Sequence, residues 1–266
     1  WKMNPSTAKE AIKLFDVVKK ALLRIKLRKG KGVKSVKDVE VVICPPFVYL
    51  PLLKGLTLGA QNVFYKEKGA FTGAISPLQL QDLKVKYVIV GHSESRKYLN
   101  ETNEMINKKI KEVLSVKLKP IFCVGETMEE KNDGMRAEIL EKQITEGLHG
   151  ISNFKPEKSR GRHLVTFTGF QISNLVIAYE PVWAIGTANN CSVNETMSSV
   201  LFIRKIISKL YNQEIAKNIK VLYGGSVESG NSALYIKDGG VNGLLVGGAS
   251  LNSKEFIKIV KSAKKV

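Results

Sequence analysis

LVIAYEPVWAIGT, Leu175 to Thr187, decides how this chain is read. Its first five residues, Leu175 to Tyr179, form an unbroken apolar run that ends on a carboxylate, Glu180. A continuous run of this kind suits a strand buried on both faces, whereas a strand with one wet face would alternate. The proline that follows opens a turn, so Glu180 stands at the C-terminal end of the strand.

The same grammar recurs on either side. Val39 to Cys44, Thr57 to Ala60, Tyr87 to Val90, Pro120 to Val124, Lys220 to Tyr223 and Gly243 to Val246 are short apolar runs, each leading into a turn and then a helical stretch. Parallel strands need such crossovers. In the first helical stretch Ala11, Ile12, Phe15, Val18 and Leu22 fall near one face. Alternating strand and helix over 266 residues points to a barrel or a doubly wound sheet, and the length suits one domain, 1–266. Two segments, 29–37 and 153–173, read as inserts between a helix and the next strand, the face of a barrel opposite an active site.

Composition narrows the class. No apolar run of membrane-spanning length occurs and the N-terminus lacks the features of a signal peptide, so the expectation is a cytoplasmic protein. Cys44, Cys123 and Cys191 are widely spaced, without a C-x-x-C pair, and read as buried thiols with no metal site. The formal charge of +18 is concentrated between Lys19 and Lys37, where nine basic residues occur and no acid. No aromatic is interleaved there, so a solvated basic face is preferred to a nucleic-acid platform, and no nucleic-acid or membrane partner is expected.

Four motifs in order carry a family resemblance: WKMN (Trp1 to Asn4), VGHSES (Val90 to Ser95), AYEPVWAIGT (Ala178 to Thr187), and YGGSV (Tyr223 to Val227) with LLVGGASL (Leu244 to Leu251). Together they resemble the triosephosphate isomerase family. The resemblance implies a (β/α)8 barrel that interconverts dihydroxyacetone phosphate and glyceraldehyde 3-phosphate, in glycolysis and gluconeogenesis, without a cofactor or metal.

It also implies roles. Glu180 is the general base, His92 a neutral imidazole that polarises the substrate carbonyl, Lys2 a fixed positive charge near carbonyl and phosphate, and Glu94 an acid that contacts the lysine and shares in proton shuttling. Gly186, Ser226, Gly247 and Gly248 offer amides to the phosphate, and Pro181 to Thr187 is a closing lid. His149 and His163 read as ordinary loop residues.

Departures from the family pattern set further expectations. The family has an Asn and a first barrel strand before this Trp, so either further residues precede Trp1 or the barrel has that strand largely missing from the given chain. The exposed strand edges should weaken both stability and substrate binding. Ser95 and Ala74 stand where the family has an Arg and a Glu that pair across a dimer interface; the docking loop Tyr65 to Ser76 remains, and a homodimer is still expected. Ala188 replaces a common Gly after the lid and should stiffen its hinge. The rival readings are another phosphate-binding barrel, such as a Schiff-base aldolase, which would not need His92, Glu180 and the lid together, and a non-catalytic basic binding protein resting on the charge alone.

Overall fold

The computed structural model describes residues 1–27, 39–152, 172–187 and 189–266. The insert-like segment 29–37, nearly all of 153–173 with His163, and Ala188 lie outside the described residues, as does much of the basic run.

Each apolar run of the sequence becomes a strand: β1 (Val42–Ile43), β2 (Thr57–Ala60), β3 (Tyr87–Val90), β4 (Lys119–Val124), β5 (Val176–Tyr179), β6 (Lys220–Tyr223) and β7 (Gly243–Leu244). They form one curled sheet in chain order, every neighbouring pair parallel. Among the described residues this is a seven-stranded sheet of the (β/α)8 kind, with β1 and β7 as its outer strands. Both are only two residues long, because an outer strand has a hydrogen-bonding neighbour on one side alone.

The helices are α1 (Ala8–Leu27), α2 (Pro77–Asp82), α3 (Ser93–Tyr98), α4 (Asn103–Ser115), α5 (Met128–Asn132), α6 (Arg136–Gly147), α7 (Val193–Leu210), α8 (Gln213–Asn218), α9 (Ser232–Asp238) and α10 (Ser253–Lys265). Several begin at side chains suited to hold free backbone amides. Ser76, Thr127 and Ser192 each form a reciprocal capping box with Gln79, Glu130 and Glu195. Along α1, Ala11, Phe15, Val18 and Leu22 are buried, but Ile12 is 39% exposed. The stripe is narrower than the sequence suggested, because Ile12 sits past the edge of the face that meets the sheet.

Alternation along the strands divides the core in two. Tyr87, Ile89, Ile121, Cys123 and Ala178 pack with Val42, Val176, Leu222 and Leu245 inside the curl. Val88, Val90, Phe122, Val124, Ile177 and Tyr179 point outward into the layer beneath the helices. Apolar side chains cover both faces, which is why these runs carry no polar alternation, although Val42, Val176 and Leu222 inside the curl border the cavity. Truncating one such side chain, Phe122→Ala for instance, should cost about 3–5 kcal/mol. Cys123 and Cys191 are buried free thiols, while Cys44 is only partly buried, at the end of an outer strand.

Candidate active site

The inward parity of β5 runs Val176, Ala178 and on to Glu180, so the strand itself aims this carboxylate into the mouth of the curl. Glu180 is 2% exposed. Its amide donates to Val124 O at 2.8 Å, which extends the β4–β5 ladder one residue beyond the strand and fixes the Cα. Gly125 and Gly224 leave room for it. A Cβ on Gly125 would fall 1.8 Å from Glu180 O, and one on Gly224 would fall 2.8 Å from Glu180 Cγ.

His92 reaches the same mouth by a different device. Gly91 adopts φ +73°, a left-handed conformation that bends the chain between β3 and α3 and brings the imidazole inward. The guanidinium of Arg96 holds the bend: Nε donates to Gly91 O at 2.9 Å, Nη1 to Asn103 Oδ1 at 2.6 Å and Nη2 to Cys123 O at 3.3 Å. The sequence reading passed over Arg96, and only its position within the VGHSESR stretch could have drawn attention to it.

The hydrogen bonds also fix the imidazole's tautomer. Nδ1 of His92 accepts the Glu94 amide at 3.2 Å and therefore carries no proton. Glu94 Oε2 lies 3.8 Å from the same nitrogen, too far to be a hydrogen bond. Nε2 then bears the proton and points to Glu180 Oε1 at 3.2 Å, while Ser93 N donates to Glu180 Oε2 at 3.3 Å. Burial pushes the Glu180 carboxyl above its ordinary value, and the nearby His92, the Ser93 amide, Cys123 and Lys2 pull partly against that.

Lys2 Nζ bonds Glu94 Oε1 at 2.5 Å with both side chains part-exposed, and Gln61 Nε2 ties Lys2 O and Cys44 O together at 2.8 and 2.9 Å. The lysine is thus fastened to the end of β1. A Cβ on Gly247 would lie 4.0 Å from Lys2 Cε. Gly247 precedes a short 3-10 turn, Gly248–Leu251. All eight residues singled out from sequence, Lys2, His92, Glu94, Glu180, Gly186, Ser226, Gly247 and Gly248, line one cavity. Its volume, about 1830 Å³, exceeds what a small ligand needs, because the space continues between the outer strands past Val39, Val41, Leu244, Ile259 and Val260.

Glu126 was not anticipated either. It is fully buried behind β5 and accepts from Tyr179 Oη at 3.1 Å and Trp183 Nε1 at 2.9 Å, with Arg136 Nε at 3.5 Å. Val182 N donates to Glu126 O at 3.0 Å, so the segment Pro181 to Thr187 is docked on the loop after β4 through its first residues. Ser226 holds the other end: its N and Oγ donate to Ala184 O at 3.0 and 2.7 Å, and Oγ also lies 3.2 Å from Thr187 O.

Comparison with known proteins agrees with this arrangement. The sequence model of the family described as triosephosphate isomerase matches residues 1–263. The triosephosphate isomerase of Dictyoglomus thermophilum is 46% identical over 235 residues, covering 86% of this chain and 88% of that protein. That of Carboxydothermus hydrogenoformans is 44% identical over 238 residues, covering 87% and 88%. That of Clostridium tetani is 38% identical over 268 residues, covering 98% and 93%. A curled parallel sheet with a buried carboxylate and a proton-bearing imidazole nitrogen 3.2 Å apart at its C-terminal rim, together with a family match along almost the whole length, places the chain in the triosephosphate isomerase family.

Proposed function

We propose that Glu180 is the base, and His92 the hydrogen-bond donor, of the triose phosphate interconversion by which this family serves glycolysis. The chain is an isomerase of dihydroxyacetone phosphate and glyceraldehyde 3-phosphate. The Glu180 carboxylate takes a proton from the carbon beside the carbonyl, and the electrons move to the carbonyl oxygen, giving an enediolate. The hydroxyl proton also passes to the former carbonyl oxygen, and protonation of the neighbouring carbon by the same carboxyl then completes the exchange. A desolvated carboxylate is the stronger base, which fits the raised value of this buried group.

The Nε2–H of His92 faces the growing negative charge on oxygen, and a neutral donor can share its proton without losing it. Lys2 adds positive charge, and Glu94 fixes the ammonium from one side and the His92 turn from the other. Ser226, Gly186, Gly247 and Gly248 contribute the phosphate-side amides. Pro181 to Thr187 is the lid that keeps water from the enediolate.

The single observation that carries this reading is the 3.2 Å approach of His92 Nε2 to Glu180 Oε1 in a pocket that also holds Lys2 and the glycine loops. A coupled assay on glyceraldehyde 3-phosphate, with and without 2-phosphoglycolate, tests it. Isomerisation that the inhibitor blocks is expected; parental turnover in Glu180→Gln would remove Glu180 as the base.

The whole chain 1–266 is proposed to act as one domain, in the cytoplasm, as a homodimer. No described helix is long and apolar enough to cross a membrane. The loop Tyr65 to Ser76 supports the dimer: Phe64 packs on Phe71 with centroids 4.7 Å apart, and Phe71 is left 43% exposed on a segment closed by the Phe64 N to Ile75 O bond at 2.8 Å. Light scattering should give twice the chain mass, and Phe71→Lys should shift it to the monomer.

A further inference from the structure

Past the C-terminal end of β3, strand β4 runs on with one edge free of any strand. β3 pairs with β4 as far as Phe122, whereas β5 follows it to Val124. Beyond those points the backbone of β4 still alternates. The carbonyls of Val124 and Glu126 face β5, where they take the amides of Glu180 at 2.8 Å and Val182 at 3.0 Å. The carbonyl of Cys123, and both the N–H and the carbonyl of Gly125, face the other edge. Arg96 Nη2 meets Cys123 O at 3.3 Å. Gln143, on α6, meets Gly125 twice: its Oε1 accepts the Gly125 N–H at 2.8 Å, and its Nε2 donates to Gly125 O at 3.1 Å. One side-chain amide thus supplies the acceptor and the donor that a neighbouring strand would have given.

Packing sets the position of this amide. Leu140 and Ile144, which flank Gln143 along α6, are buried, and a Cβ on Gly147, one turn further, would fall 2.4 Å from Phe122 Cζ, so the helix lies directly against β4. The residue it grips is the one least able to hold itself. Gly125 has no room for a side chain, since a Cβ there would fall 1.8 Å from Glu180 O, and glycine leaves φ and ψ the most freedom. The N–H that Gln143 accepts belongs to the same planar peptide unit as Val124 O. That unit is therefore held from both sides, by Gln143 on one and by the Glu180 amide on the other.

We propose that Gln143 is a positioning residue for Glu180: by gripping the peptide between Val124 and Gly125 from α6, it fixes the carbonyl that seats the Glu180 amide, and with it the carboxylate against the substrate carbon. This rests on the isomerase reading above. The competing reading is a tie that only fastens α6 to the sheet. Asn107 offers the comparison, because its Nδ2 donates to Gly147 O and His149 O, both at 2.9 Å, at the end of the same helix and away from the site.

The decisive comparison sets Gln143→Met, which keeps the side-chain length and loses both hydrogen bonds, beside Asn107→Ala, each in the full chain. Gln143→Met should lower kcat about ten- to fiftyfold in the coupled assay while KM changes by less than about threefold, the pattern of an interaction that counts in the transition state. With dihydroxyacetone phosphate carrying deuterium at the carbon that loses its proton, the isotope effect on kcat should rise, because a displaced carboxylate slows that transfer above every other step. Asn107→Ala should lower the melting temperature at least as much, yet keep the parental kcat and isotope effect. A parental kcat and isotope effect in Gln143→Met overturn the assignment, as do matching losses of kcat in the two variants with unmoved isotope effects, which would leave Gln143 as helix packing. Gln143→Asn, whose amide is one methylene too short to reach, gives the same reading should Gln143→Met fold poorly. A parental chain that isomerises nothing sinks the isomerase reading and the positioning role with it, whereas an active parent whose turnover ignores Gln143→Met sinks the positioning role alone.

Discussion

The middle of the sheet and its two margins are built to different standards. Strands β3, β4, β5 and β6 pair through four residues at each junction, whereas β1–β2, β2–β3 and β6–β7 pair through two. Glu180 and His92 stand on the middle strands, locked by the Val124 ladder bond and by Arg96. Lys2 and Gly247 stand beside the outer strands of the described sheet. Proton transfer needs a donor and an acceptor placed to within a few tenths of an ångström, and the best-paired strands supply that. Phosphate gripping tolerates more movement, because several amides share one dianion.

Removing the central carboxylate gives the largest expected effect. Glu180→Gln should lower kcat by about 10²–10⁴-fold or more in the coupled assay, since positioned general-base catalysis is worth that range. Its stability should move the other way. Burial raises the folded-state value of the Glu180 carboxyl, so the associated stabilisation is complete below the unfolded-state carboxylate value and is lost as pH rises through the folded value. Thermal melts should place Glu180→Gln further above the parent as pH rises through the folded value, and show the gap shrinking toward acid pH.

Alanine at two glycines puts the middle and the margin in direct opposition. Gly125→Ala sets a Cβ 1.8 Å from the Glu180 carbonyl, a clash with backbone that only a shift of β5 can relieve, and should cost about 1–3 kcal/mol in denaturant melts together with most of kcat. At Gly248 a Cβ meets nothing within 4 Å, so Gly248→Ala should fold normally and raise KM more than it lowers kcat. Equal losses of stability at the two sites would erase the proposed contrast.

The acid limb of the kcat profile refines the same point. It should fall away at a pH above the ordinary glutamate value, because the essential group must be ionised and burial opposes that. A direct ¹³C-carboxyl titration of Glu180 separates its ionisation from that of the substrate phosphate. The smallest effect is dynamic: amides of β1 and β7 should exchange with deuterium sooner than those of β4 and β5, and uniform protection would show that the margins are as firm as the centre.

Much of the site was legible before any fold was known. Seven apolar runs marked seven strands because apolar side chains cover both faces of the sheet, and such a strand cannot hide its composition. Glu180 was visible because it ends such a run, His92 because it follows Val90 and Gly91. Arg96, Glu126 and Gln143 were not visible, since each acts on a partner far along the chain: Cys123 O, Trp183 Nε1 and the Gly125 backbone. Polar residues of a helix or a loop look alike in sequence whether they face water or a buried partner.

The order of strands, the carboxylate at the end of β5 and the family itself were fixed by the amino-acid sequence, because those features depend on local patterns and on contiguous motifs. Which nitrogen of His92 carries the proton, how far Glu180 is buried, and that the lid occupies Ser226 were decided only by the tertiary structure. These are properties of distance and dielectric between segments up to about ninety residues apart, such as Ser93 and Glu180, and nothing in a linear pattern measures either quantity.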